Sequence, residues 1–154
     1  MTNKLRIAVI GAGRLGGFHA QKLAQRNDVT LAAVVDPLPA NRRRVAAECR
    51  AEARADYAGL LDRLDAAVIA APTSLHYTIA REFLESGIHL LVEKPLCLTW
   101  AEADKLVAAA KRRRVVLQVG HVERFNPAFN AAALQVADPK YIEAVRANGF
   151  TFRS

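Results

Sequence analysis

The sequence predicts an α/β fold: a doubly wound parallel sheet, followed by the opening of a second, α+β domain whose remainder is missing. Three observations predict it. From residue 5 to about residue 119, short apolar runs alternate with amphipathic helical stretches, the pattern of repeated strand–helix units. The first of these runs is apolar almost throughout, as a strand covered on both faces is. From Gly120 the rhythm breaks into a loop, a short helix and a segment of alternating polarity.

Taken in order, LRIAVI (Leu5–Ile10) is the first strand, and a helix follows near 14–25. Val29–Val35 is the second strand, and a helix near 38–49 is entered through Pro37 and Pro39, where proline is tolerated. Residues 52–56 make at most a short third strand. A helical turn near 58–63, a strand at 66–70 and a helix near 74–86 come next, with Gly87 as the stop. The fifth strand is 88–92. Thr99 is placed to cap the next helix, and Glu102 completes a capping box for a run to about Arg113. The sixth strand is 115–119. A short helix starts at about Pro127, and residues 141–153 read as a strand, an Ala-Asn-Gly turn and the beginning of another strand. A strand and a fragment do not make a stable sheet, so the domain boundary is expected at 125, with 126–154 belonging to the incomplete second domain.

At 154 residues and 52% hydrophobic, the chain suits one domain with a sizeable core and a short extension. Lys and Arg number 22 against 15 Asp and Glu, a formal charge of +7 that suits anionic small molecules. The basic clusters, Arg42-Arg43-Arg44 and Lys111-Arg112-Arg113-Arg114, lie on separate helices with no aromatic platform between them, so no nucleic-acid partner is expected. The second cluster ends its helix, at the negative pole of the dipole. No apolar run approaches the roughly 20 residues that span a bilayer, and no membrane partner is expected. Cys49 and Cys97 have no metal-type spacing, so no metal is expected and a reducing, cytoplasmic setting fits. No signal-peptide layout precedes the first strand.

The sharpest local signal is GAGRLG at 11–16, a G-x-G-x-x-G between a strand and a helix. Gly11 permits the tight turn, Gly13 lets the backbone approach a pyrophosphate, and Gly16 lets the helix pack closely on the sheet. Ala12, Arg14 and Leu15 fill the loop, and the helix N-terminus offers unpaired N–H groups to phosphates. Asp36 ends the second strand at the distance where a carboxylate accepts hydrogen bonds from the adenosine ribose and repels a 2′-phosphate. The fold is therefore expected to be Rossmann-type, with 1–125 as the dinucleotide-binding domain. NAD is expected ahead of NADP, although one of Arg42 to Arg44 lies close enough in sequence to reach a 2′-phosphate.

Three further segments extend the pattern. APTSLHY (71–77) follows the fourth strand, VEKPLCLT (92–99) follows the fifth, and VGHVERFNP (119–127) follows the sixth. Together with the glycine loop they resemble the Gfo/Idh/MocA oxidoreductases, in order and spacing, from residue 4 to about residue 130. Glu93-Lys94-Pro95 is the most specific element. The resemblance implies a two-domain NAD(P)-dependent dehydrogenase acting on sugars, sugar derivatives or cyclitols, and VGHVERFNP is most similar to enzymes oxidising nucleotide-activated amino sugars. It further implies a cis Lys94–Pro95 bond and a homo-oligomer formed through the missing domain.

Strand C-terminal ends converge on the ligand crevice of such a sheet. Lys94 is there the candidate catalytic residue: its ammonium would stabilise alkoxide character as hydride leaves carbon. The alternative is a surface lysine at a strand end. Glu93, Ala71, Pro72, Thr73 and His76 join the candidate cofactor contacts; Thr73-Ser74 stands where the family has asparagine. His76 sits either near the nicotinamide or as a packing or capping residue. His121 and Arg124 are candidate substrate contacts, with Phe125 beside them at the pocket mouth, and Arg124 suits linker anchoring equally well. The family's catalytic Asp-x-x-x-His pair has no counterpart between Pro127 and Ser154. A dehydrogenase needs a general base, so this stretch alone is expected to bind NAD(H) and turn over little or nothing. The competing reading is a dinucleotide-binding module without chemistry.

Overall fold

The computed structural model describes residues 4–143, 145 and 147. They fall into two compact units, the first ending at His121 and the second beginning at Val122.

The first unit is one six-stranded sheet in which every pairing is parallel. Its strands are β1 (Leu5–Ile10), β2 (Val29–Val35), β3 (Glu52–Arg54), β4 (Ala66–Ile69), β5 (His89–Val92) and β6 (Leu117–Val119), in the order β3-β2-β1-β4-β5-β6. The chain runs outward from β1 to β3, returns to β4 and runs outward again. The direction therefore reverses between β1 and β4, and a ligand crevice opens at the strand ends there.

Why β1 is so uniformly apolar follows from its two covered faces. Ala8 and Ile10 belong to a core that contains Phe83 and Leu84 of α3 (Thr73–Glu85) and Leu106 of α4 (Trp100–Arg113). Ile7 and Val9, pointing the other way along a strand of period two, belong to a second core that contains Ala20 of α1 (Arg14–Ala24) and Val45 of α2 (Pro39–Cys49). Two helices thus seal each face.

The helix ends show where sequence signals operate. Thr99 Oγ1 accepts the N–H of Glu102 at 3.2 Å and Glu102 Oε2 accepts that of Thr99 at 3.2 Å, the expected capping box. Gly87, with φ of +79°, follows the end of α3. Arg112 and Arg113 at the end of α4 both bond Glu85 of α3, so this half of the basic cluster ties two helices together. The predicted sixth strand loses its first two residues. Arg114 turns left-handed at φ 57°, and Val115 N–H closes on Ala110 O at 3.1 Å, which commits the chain to ending the helix before β6 begins. The stretch 58–63 forms consecutive hydrogen-bonded turns that bury Leu60.

In the second unit, Val122–Phe125 is a 3-10 turn and α5 spans Pro127–Ala133. Asn126 caps α5, its side chain accepting Ala128 N–H at 3.0 Å, and Pro127 supplies the fixed φ suited to a first helical position. The strand expected at 141–153 is absent from the residues of that stretch that are described, 141–143, 145 and 147; the rest of it, including the Phe150–Phe152 alternation, lies outside the described residues.

Candidate cofactor crevice and the Lys94 turn

At the reversal point the loops after β1 and β4 touch. Gly11 adopts φ of +96°, and a Cβ there would stand 2.6 Å from Ala70 O. A Cβ on Gly16 would stand 1.8 Å from Gly11 O, so the loop and the first turn of α1 are held at a separation only glycine permits. Gly13 differs. Its φ of −68° is ordinary, and a Cβ would meet nothing within 4 Å. Two of the three glycines therefore serve the fold, and the third leaves its backbone open to an incoming group.

Gly13 caps α1 without a side-chain hydrogen bond, and no acidic residue lies in the first turn. Arg14 and Leu15 are exposed there. The helix N-terminus thus keeps its N–H groups and positive end for an anion. The N-terminus of α3 is likewise uncapped by any side chain behind Pro72, with Thr73 as its first residue and no acid in the turn. The N-terminus of α4, by contrast, is closed by Thr99 and Glu102.

Asp36 is 7% exposed at the end of β2. Its Oδ2 accepts Ala12 N–H and its Oδ1 accepts Leu38 N–H, both at 2.8 Å. A carboxylate has about four lone-pair sites, so each oxygen retains capacity for a ribose hydroxyl. The same side chain fastens the glycine loop to the end of β2. The guanidinium of Arg42 donates to the backbone carbonyls of Asp36 (3.2 Å) and Pro37 (2.8 Å). Arg44 instead bonds Glu48 one helical turn on. An open glycine backbone, a free helix N-terminus and a buried carboxylate with spare acceptors fit a dinucleotide.

Lys94 lies in the turn after β5, exposed, with the expected cis bond to Pro95. The residues on either side of it are tied down. Glu93 is 7% exposed; its N–H bonds Ile69 O at 2.9 Å, and its Oε1 lies 2.7 Å from His19 Nε2. Its carboxylate lies flat against Gly120, where a Cβ would approach it to 3.1 Å. On the other side, His76 is 1% exposed, with Nδ1 2.9 Å from Pro95 O and Nε2 2.8 Å from Ala71 O. The His76 ring lies between two loops, both nitrogens facing carbonyls. Glu93 is likewise turned inward to a histidine. Its side chain and that of His76 are thus both held by partners within the protein.

Sequence reading passed over His19, which is 74 positions from its partner. The available signal was its place three residues after Gly16 on α1, but only the sheet order brings that helix to the end of β5. His121 is exposed just after β6, and Arg124 is exposed in the 3-10 turn of the second unit.

Comparison with known proteins agrees with this geometry. Residues 5–121 match the family model described as "Oxidoreductase family, NAD-binding Rossmann fold", GFO_IDH_MocA. The chain belongs to that family of NAD-binding oxidoreductases. It is 40% identical over 151 residues to a UDP-N-acetylglucosamine 3-dehydrogenase of Acidithiobacillus ferrooxidans, covering 97% of this chain and 48% of the relative. It is 34% identical to a scyllo-inositol 2-dehydrogenase (NAD(+)) of Bacillus subtilis, covering 98% of this chain and 45% of that one. The solved structure of the Acidithiobacillus enzyme superposes with a TM-score of 0.79 over 86% of this chain and 44% of its own. GenD2 from gentamicin A biosynthesis, solved in complex with NAD, is 35% identical with a TM-score of 0.84, over 90% of this chain and 40% of its own. The chain thus spans about half the length of the curated relatives it matches.

Proposed function

We propose that this chain is the NAD(H)-holding half of a dehydrogenase that moves a hydride between the nicotinamide and a hydroxyl of a sugar or nucleotide sugar. The observation that carries the reading is Asp36, a buried carboxylate that bonds the glycine loop and still has acceptors to offer. Gly11, Ala12, Gly13 and the first turn of α1 hold the diphosphate, and Asp36 the adenosine ribose. Ala71, Pro72 and Thr73 border the crevice from the β4 side. When bound, NAD supplies the hydride acceptor.

Lys94 carries the positive charge that steadies a developing alkoxide on the substrate, the charge being most useful where water is excluded. His121 and Arg124 are proposed to meet the substrate. The relatives' substrates, a UDP-amino sugar and an inositol, support a polyhydroxylated ring. No Asp-x-x-x-His occurs in the sequence, so the general base, the rest of the substrate pocket and the homo-oligomer interface are assigned to a further domain. A reducing cytoplasm suits the two free cysteines: burial pushes the thiols of Cys49 and Cys97 up, keeping them protonated. No helix among the described residues is long and apolar enough to cross a membrane.

Calorimetric titration tests the reading. Wild-type chain should bind NAD more tightly than NADP, and Asp36→Ala should weaken NAD by about 10- to 100-fold, the worth of hydrogen bonds to a charged acceptor. The same change should narrow the NAD-over-NADP preference. Equal affinities for the two in the wild type would overturn the assignment of Asp36 to the ribose.

A further inference from the structure

We infer that His19 and His76 are positioning residues for Lys94, bracing its turn from two helices on opposite faces of the sheet. Lys94 itself is exposed, but Glu93 before it is buried and the carbonyl of Pro95 after it is held by a hydrogen bond. One brace runs from α1: His19 Nε2 to Glu93 Oε1 at 2.7 Å, with the side chain of His19 23% exposed and that of Glu93 9%. An ionised carboxylate only accepts, so Nε2 carries the hydrogen. The other runs from the first turn of α3: His76 Nδ1 faces Pro95 O, and Nε2 faces Ala71 O. A neutral ring donates to one of those carbonyls at a time, and a protonated ring to both.

The two braces have different origins and one target. α1 begins at the glycine loop, so His19 links the diphosphate-holding helix to residue 93. α3 begins at the loop after β4, so His76 links that loop to residue 95. Gly120 completes the first brace, since a Cβ at 3.1 Å would press on the Glu93 carboxylate. An exposed lysine has considerable side-chain entropy to lose on being held in one place. Fixing the backbone on both sides of it limits how far its ammonium strays from where charge develops, and preorganised charge is the effective kind. This inference rests on the proposal that Lys94 meets the nicotinamide end of the cofactor.

The test compares NADH with ADP-ribose, which lacks the nicotinamide, in the 154-residue chain. Lys94→Ala defines the part of NADH affinity that the lysine supplies. His19→Leu and His76→Phe should each remove that same part, about tenfold for one charge-assisted bond, while ADP-ribose affinity stays at the wild-type value. His19→Gln, which retains a donor for Glu93, should restore it. Damage of a general kind would lower both ligands together and would not be rescued by glutamine.

Backbone ¹⁵N relaxation of the ligand-free chain gives a second reading that does not involve the cofactor: Lys94 should gain motion in His19→Leu and His76→Phe while the β1 amides stay rigid. Histidine variants that leave both the NADH-over-ADP-ribose ratio and the order of Lys94 unchanged overturn the inference. If Lys94→Ala alone fails to alter the ratio, the placement of Lys94 at the nicotinamide is what falls, and the relaxation data still decide the bracing.

Discussion

At the scale of single residues, the three glycines of one motif do three separable jobs, and substitution should separate them. Gly16→Ala places a Cβ 1.8 Å from Gly11 O, with backbone on both sides of the contact. It should cost about 2 kcal/mol or more of stability, as forced overpacking does. Gly13→Ala meets nothing within 4 Å and has a φ of −68°, so its stability should be unchanged or rise by about 0.4–1 kcal/mol through the unfolded state. Its affinity for NAD should nevertheless fall about tenfold or more, because the added methyl keeps a diphosphate from the backbone. Urea unfolding and calorimetry on the same two proteins check this. A Gly13→Ala variant that binds NAD normally would remove the diphosphate from this loop. The glycines and Asp36 were legible in the sequence because a short motif encodes their geometry locally. The His19–Glu93 pair was not, since its meeting depends on which strand lies beside which, and the two carbonyl partners of His76 come from loops 5 and 19 residues away.

At the scale of elements, the sequence announces helix starts better than helix ends. Thr99 with Glu102, and Asn126 with Pro127, mark beginnings that side-chain chemistry creates, and Gly87 marks an end that glycine creates. Two other ends, at Arg50 (φ 54°) and Arg114 (φ 57°), adopt the left-handed conformation with no glycine to signal it. There the closing bonds do the work: Ala51 N–H to Ala46 O at 3.0 Å after α2, and Val115 N–H to Ala110 O at 3.1 Å after α4. This is why the sixth strand starts two residues later than its apolar run suggests. A left-handed non-glycine residue costs roughly 1–2 kcal/mol, part of which glycine gives back as unfolded-state entropy. Arg114→Gly should accordingly raise stability by about 0.5–1 kcal/mol, read as a higher urea midpoint at constant m. A lower midpoint would mean that the arginine side chain contributes more at the end of α4 than its backbone strain costs.

At the scale of the whole chain, the two units differ in what holds them. Both hydrophobic cores, the sheet and every contact around Asp36, Glu93 and His76 lie within residues 4–121. In the second unit all the described residues are exposed, among them Phe125 (71%), Phe129 (63%) and Leu134 (91%). Alternating strand and helix patterns made the first unit legible end to end, since each strand is covered by helices that the same pattern supplies. The strand, Ala-Asn-Gly turn and strand start read at 141–153 rested on local pattern, and such a pattern forms a strand only where a neighbouring edge accepts its hydrogen bonds. Those bonds are missing at the residues of that stretch that are described. Stability and cofactor binding should therefore reside in the first unit by itself. A chain ended after His121 should keep the unfolding midpoint of the 154-residue chain and its affinity for NAD, and should be more soluble for having shed exposed apolar side chains such as Phe125, Phe129 and Leu134. If shortening instead lowers the midpoint, residues 122–154 contribute to the core of the first unit, and the division of labour between the units fails with it.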